Sequence, residues 1–161
     1  MQIPEPEAEH LWLHQLVGEW SVESECVMVP DQQPMKMTGR ETVRTLGKFW
    51  TIGEGAGSNP DDGACDSIMT LGYDPRTKRF VGSFVTGAMS HLWPYLGSLD
   101  ASGKILTLDS EGPSFSGDGT LSKYQDIIEF LSPDHRTLTA RVQSSDGSWR
   151  QFMLSHYHRK Q

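Results

Sequence analysis

The densest set of side chains able to do chemistry lies at the end of the chain, in Trp149–His158. His156 and His158 are two residues apart, so in an extended strand both imidazoles leave the same face and could share one metal ion. A third ligand would have to come from elsewhere, and His91 and Glu41 are the candidates. Without one, the two histidines are a solvated pair beside the short basic tail Arg159-Lys160. Phe152 and Leu154 share their face, while Met153, Ser155 and Tyr157 take the other, so the inward side of this strand stays open. Glu41 is the second group of interest. It is in phase with Met35, Met37 and Val43 and out of phase with Lys36, Arg40 and Arg44. If the basic face is outside, the Glu41 carboxylate points inward. There it could act as a general base raised by burial, pair with an interior arginine, or orient a ligand.

Other reactive signatures are missing. The serines, histidines and aspartates form no Gly-x-Ser-x-Gly elbow. Gly53-Glu-Gly55-Ala-Gly57 lacks the strand-to-helix setting of a dinucleotide or phosphate loop. No catalytic residue and no metal ligand is therefore assigned. The informative inventory is apolar: Trp20, Met28, Met35, Met37, Phe49, Phe80, Phe84, Trp93 and Tyr95 can all be drawn on inward faces of strands. Methionine and aromatic side chains adapt to a flexible apolar molecule, and pockets of that kind need few polar groups. The expected ligand-binding set is Trp20, Met28, Met37, Phe84, His91 and Trp93, with Glu41, Tyr157 and Arg159 as the orienting polar groups.

These residues need a scaffold, and the hydrophobic periods supply one. Leu11, Trp12, Leu13, Leu16 and Val17 have helical spacing, which predicts a short helix over 7–16 behind a loose leader at 1–6. After Gly18 the period falls to two. Trp20, Val22, Ser24, Cys26 and Met28 then share a strand face, with Trp20 placed to fill the closed end of a barrel. Nine further strands follow, at 35–46, 48–55, 67–73, 79–86, 90–99, 105–111, 123–131, 137–144 and 149–158. Turn signals link them, including Asp74-Pro75 and Asp146-Gly147, with Gly/Ser-rich loops over 57–66 and 112–120. Pro94 predicts an edge, a bulge or a strand end. No helical stretch is long enough for parallel crossovers. The expectation is one all-β domain over 1–161, a ten-stranded antiparallel up-and-down barrel spanning 18–158, with a two-sheet sandwich as the alternative.

Composition narrows the partners. A formal charge of −7 with no basic run gives nucleic acid or an anionic membrane nothing to grip. A hydrophobic content of 36% suits a barrel in which a cavity replaces part of the core. No stretch approaches the roughly 20 apolar residues of a membrane span. The acidic, proline-bearing start has no signal-peptide pattern, and Cys26 and Cys65 make no disulfide framework. A cytoplasmic monomer or homodimer with free thiols is the expectation.

Several motifs resemble an uncharacterised bacterial family, domain of unknown function 1579. They are His10-x-Trp12-Leu13, Leu16-Val17-Gly18-Glu19-Trp20, Thr38-Gly39-x-Glu41, Leu71-Gly72-Tyr73-Asp74-Pro75 and Tyr157-x-Arg159-Lys160. The resemblance covers nearly the whole chain and implies a calycin-like barrel, akin to lipocalins, fatty-acid-binding proteins and nitrobindin-like barrels. It carries no catalytic residues with it. The fatty-acid-binding branch implies a carboxylate held by an Arg and a Tyr, near which Tyr157 and Arg159 fall in reversed order. The nitrobindin-like branch implies haem held by a C-terminal His, near which His156 and His158 fall. The leading expectation is non-enzymatic binding of a small apolar or amphiphilic molecule, without a cofactor. The alternatives are a haem or metal barrel using His91, His156 or His158, a small isomerase- or cyclase-type enzyme using Glu41 or His91, and an interaction module pairing through an open edge.

Overall fold

A computed structural model describes residues 1–59 and 63–161. One short helix, α1 (Ala8–Leu13), runs into a single 3₁₀ turn at His14–Leu16. Ten strands follow: β1 (Gly18–Cys26), β2 (Met35–Leu46), β3 (Trp50–Asn59), β4 (Gly63–Asp74), β5 (Arg79–Thr86), β6 (Trp93–Leu99), β7 (Ile105–Pro113), β8 (Leu121–Ser132), β9 (His135–Gln143) and β10 (Trp149–Arg159). Each pairs antiparallel with its sequence neighbours, and β10 pairs back onto β1, so the sheet closes with up-and-down order. No helix among the described residues is long and apolar enough to cross a membrane.

Most element boundaries shift by a few residues from the sequence reading, and three of the differences have a clear physical reason. The helix is shorter than 7–16, because its last turn tightens to 3₁₀ as the chain enters β1. The expected loop at 57–66 is largely sheet, with Gly57 paired to Cys65 and Ser58 to Ala64. A formed ladder overrides weak strand propensity; residues 60–62 lie outside the described ones. β6 starts at Trp93, not residue 90, and its pairing with β7 begins only at Leu96 and Asp109. Pro94 lies in the segment that does not pair with β7, as its missing N–H requires.

The two barrel ends are built differently. α1 and the turns after β2, β4, β6 and β8 meet at one end. His10 fixes the helix there: its Nδ1 accepts from the Glu7 amide at 2.9 Å, and its Nε2 lies 3.0 Å from the Tyr73 carbonyl, to which it donates. Trp12 Nε1 donates to the Gly103 carbonyl at 2.6 Å. Trp20 is fully buried, and its Nε1 donates to the Leu16 carbonyl at 2.8 Å. Gly18, at φ +136°, lets the chain turn from helix to strand, and a Cβ there would lie 2.5 Å from an Arg159 guanidinium nitrogen. Arg159 closes this end by donating to the carbonyls of Gln15, Val17 and Pro133 and to the Asp134 carboxylate. Leu13, Leu16, Val43, Leu71, Phe80, Leu106, Leu108, Ile128 and Phe130 pack the interior at this end. Each buried side chain of that size contributes about 1.5–3 kcal/mol.

Candidate functional site

Beyond that core the side chains stop meeting across the barrel, leaving an interior cavity of about 350 Å³. Met28, Met89, Trp93 and Phe152 line its upper part, where strands β1, β5, β6 and β10 reach the end opposite α1. Met69, Phe84, Leu138, Ala140 and Met153 form more of the wall. A more open groove of about 550 Å³, bordered by Asp109, Glu111, Lys123 and Trp149, shares Tyr95, Ser110 and Tyr124 with the cavity.

Phe152 and Met153 both reach the cavity because β10 carries a bulge. Gln151 pairs with Arg141 and Met153 with Ala140, which leaves Phe152 as the extra residue. The bulge resolves the face that alternation left open: Met153, Ser155 and Tyr157 line the cavity, and Leu154, His156 and His158 lie on the outer face.

A polar layer separates the cavity from the core. Arg136 Nη2 donates to Glu41 Oε1 at 2.5 Å, and the two side chains are 3% and 13% exposed. The guanidinium carbon lies 3.9 Å from the Tyr157 ring centroid and 4.6 Å from that of Trp20. Tyr95 donates its hydroxyl to Asp126 Oδ2. Gly53 leaves room for the ion pair, since a Cβ there would stand 3.1 Å from Glu41 Oε2. Ser24 and Ser155 hydrogen-bond one another at 2.7 Å. Ser110 Oγ, on the cavity wall, is buried without a partner among the described residues.

Enclosure changes the acidity of these groups. Burial raises the Asp126 carboxyl to about 6, against an opposing pull from the Tyr95 hydrogen bond. Asp126 is walled in by the barrel yet keeps accessible surface, because that surface faces the cavity. Burial, then the Asp126 charge, pushes Tyr95 well above its ordinary value. Burial and the Glu41 charge push Tyr157 up, with Arg136 opposing. Burial also raises the Cys26 thiol. The phenols and the thiol are therefore neutral hydrogen-bonding groups at physiological pH, with no activated nucleophile among them.

The residues expected from sequence divide into two sets. Met28, Glu41, Phe84, Trp93 and Tyr157 line the cavity. Trp20, Met37, His91 and Arg159 do not. Trp20 and Arg159 belong to the closed end, where the guanidinium lies 4.2 Å from the indole centroid. Met37 borders an adjoining pocket of about 160 Å³ that shares Ser24, Glu41, Ser67 and Tyr157 with the cavity. His91 packs against the edge of Trp93 and meets the Glu111 carbonyl at 3.0 Å. Phe49, drawn inward from sequence, sits in the turn before β3 against His10. His156 and His158 face outward, so neither can ligate a group held in the cavity. Arg136, Asp126 and Ser110 were not singled out. Alternation marked the first two, since Asp126 is in phase with Tyr124, Ile128 and Phe130, and Arg136 with Leu138, Ala140 and Val142.

Residues 5–159 match the family model described as "Protein of unknown function (DUF1579)". The chain belongs to the DUF1579 family. Most of the motif residues that carry this resemblance are structural in this member: His10, Trp12 and Tyr73 dock the helix, and Gly18, Trp20 and Arg159 close the barrel, while Glu41 and Tyr157 line the cavity. No curated protein matches the chain. Among solved structures, it is similar to Rv2717c from M. tuberculosis at TM-score 0.67 and 12% identity, over 98% of this chain and 100% of that one. It is also similar to the S-type phycobiliprotein lyase CPES from Guillardia theta, at TM-score 0.65 and 12% identity, over 98% and 94% of the two chains. A barrel named EF1p2_mFAP2b, bound to DFHBI, aligns at TM-score 0.51 and 12% identity, over 94% and 98%. At these identities the likeness is one of fold, a closed antiparallel β-barrel.

Proposed function

We propose that this DUF1579 protein binds a small, largely apolar molecule inside its barrel and carries it without altering it. The observation that carries the reading is the cavity itself: about 350 Å³, walled largely by methionine and aromatic side chains, with a smaller set of polar groups among them. Small-molecule sites have this size and this ratio of apolar wall to a few polar anchors. Binding of DFHBI by a barrel of similar fold is consistent with it.

The charge of the polar layer selects the ligand's end group. Two carboxyl groups, Glu41 and Asp126, line the cavity, and the guanidinium beside Glu41, that of Arg136, is already committed to it. A ligand carboxylate would meet an occupied cation and a second acid. An uncharged or positively charged end instead meets the Asp126 carboxyl and the Ser110 and Tyr157 hydroxyls.

The test is a matched series of decanol, decylamine and decanoate, followed by tryptophan emission with Trp93→Phe as the reporter control. Saturable binding of the alcohol and amine is expected, with decanoate at least tenfold weaker. Ala140→Phe, which fills the cavity, is expected to abolish the signal. No saturable change with any of the three, or undiminished binding by Ala140→Phe, overturns the reading.

One feature favours chemistry as a second reading: Asp126 stands on the cavity wall, where burial pushes its carboxyl up to about 6. Glu41 is held by Arg136 and His91 stands outside the cavity lining, so acid–base work would fall to Asp126. A turnover whose pH profile breaks near 6 and vanishes in Asp126→Asn would establish it.

A further inference from the structure

The outer wall holds a second cluster, unconnected with the cavity. His156 and His158 leave the outer face of β10, and β9 brings His135 directly opposite His158. The three side chains place one ring nitrogen each within 4.8 Å of one another. His135 Nε2 and His156 Nδ1 are already 2.9 Å apart, sharing one proton as a hydrogen bond. The His135 and His158 rings stack at 4.2 Å between centroids.

The geometry points to a surface site for one divalent transition-metal ion of the zinc class, held by His135, His156 and His158. Three tetrahedral imidazole nitrogens at Zn–N distances of about 2.0–2.1 Å lie roughly 3.3 Å apart, inside the 4.8 Å that bounds the separations here. Imidazole donors select zinc, copper and nickel over magnesium and calcium, which prefer oxygen. Binding takes the place of the His135–His156 hydrogen bond: the donor ring shifts its proton to its other nitrogen by exchange with water, so that both rings aim a lone pair at the metal, and His158 turns out of its stack to do the same. Three ligands leave a fourth position for water or a carboxylate, and β1 sets Glu23 opposite His156.

Strand spacing alone offered His156 and His158 but no third ligand. His135 joins them because the β8–β9 turn sets it opposite His158, which sequence separation conceals.

Zinc alone is the probe, titrated into the whole protein in competition with a chromophoric chelator. One Zn²⁺ per chain at micromolar affinity or better is expected, with excess Mg²⁺ failing to compete. His135→Gln, His156→Gln and His158→Gln should each weaken binding at least tenfold while the far-UV spectrum is retained. The remaining histidines and both cysteines stay in every variant and report on binding elsewhere. In wild type, Ni²⁺ should broaden amide resonances around 135 and 156–158 first. No stoichiometric zinc, equal affinity in a His135→Gln/His158→Gln double variant, or broadening centred elsewhere overturns the proposal.

Discussion

The Arg136–Glu41 pair gives the sharpest test of how this barrel tolerates charge in its interior. Its side chains are 3% and 13% exposed, and the guanidinium is also stacked between Tyr157 and Trp20. Two unit charges 4 Å apart at an effective dielectric constant near 20 attract by about 4 kcal/mol, most of which desolvation offsets. Breaking the pair is a different matter, because it strands a carboxylate on the cavity floor. Arg136→Met should therefore cost about 3–5 kcal/mol, the range for an uncompensated buried charge. Two lost cation–π contacts add roughly 0.5–2 kcal/mol each, partly returned by the packing of methionine. Against a total stability of about 5–15 kcal/mol this is a large fraction. With a urea slope of about 2 kcal/mol/M, the midpoint should fall by about 2 M. Adding Glu41→Leu to Arg136→Met should recover most of the loss, since no charge is then left unpaired. Urea unfolding of the wild type, the two single variants and the double variant measures the coupling. A loss below about 1 kcal/mol in Arg136→Met, or simple additivity in the double variant, would refute this account of the polar layer.

Three further outcomes follow from particular residues. Burial raises the folded Asp126 carboxyl to about 6, above its ordinary 3.8, so the folded chain holds a proton that the unfolded chain releases first. Its contribution is most favourable below about pH 4 and is lost as pH climbs through 6, by about 1–3 kcal/mol. The difference in urea midpoint between wild type and Asp126→Asn should change across pH 4–7, and a flat difference contradicts the assignment. Gly18→Ala places a Cβ at φ +136° and 2.5 Å from Arg159, and should cost about 1–3 kcal/mol by thermal or urea unfolding. Gly112 lies beneath the Trp93 ring, which a Cβ would strike. Gly112→Ala should displace the indole and shift its emission, and an unchanged spectrum would mean that the ring does not rest there.

The sequence alone determined the barrel. Period-two alternation, short turns and the helix-to-strand change at Gly18 specify ten antiparallel strands, because a side chain's face in a strand depends only on its position along it. The same rule placed Glu41, Met28, Phe84 and Trp93 on the interior, and it marked Asp126 and Arg136 for any reading that followed those strands in phase. Three things were left to the tertiary structure. Trp20 and Trp93 have the same inward phase, yet one is sealed in the core and the other lines the cavity, because depth along the barrel axis is set by the docked helix. Phe152 faces inward only because β10 bulges against β9. His135, His156 and His158 share a site because antiparallel register brings distant segments side by side, and register depends on how the whole sheet closes, not on any local run of residues.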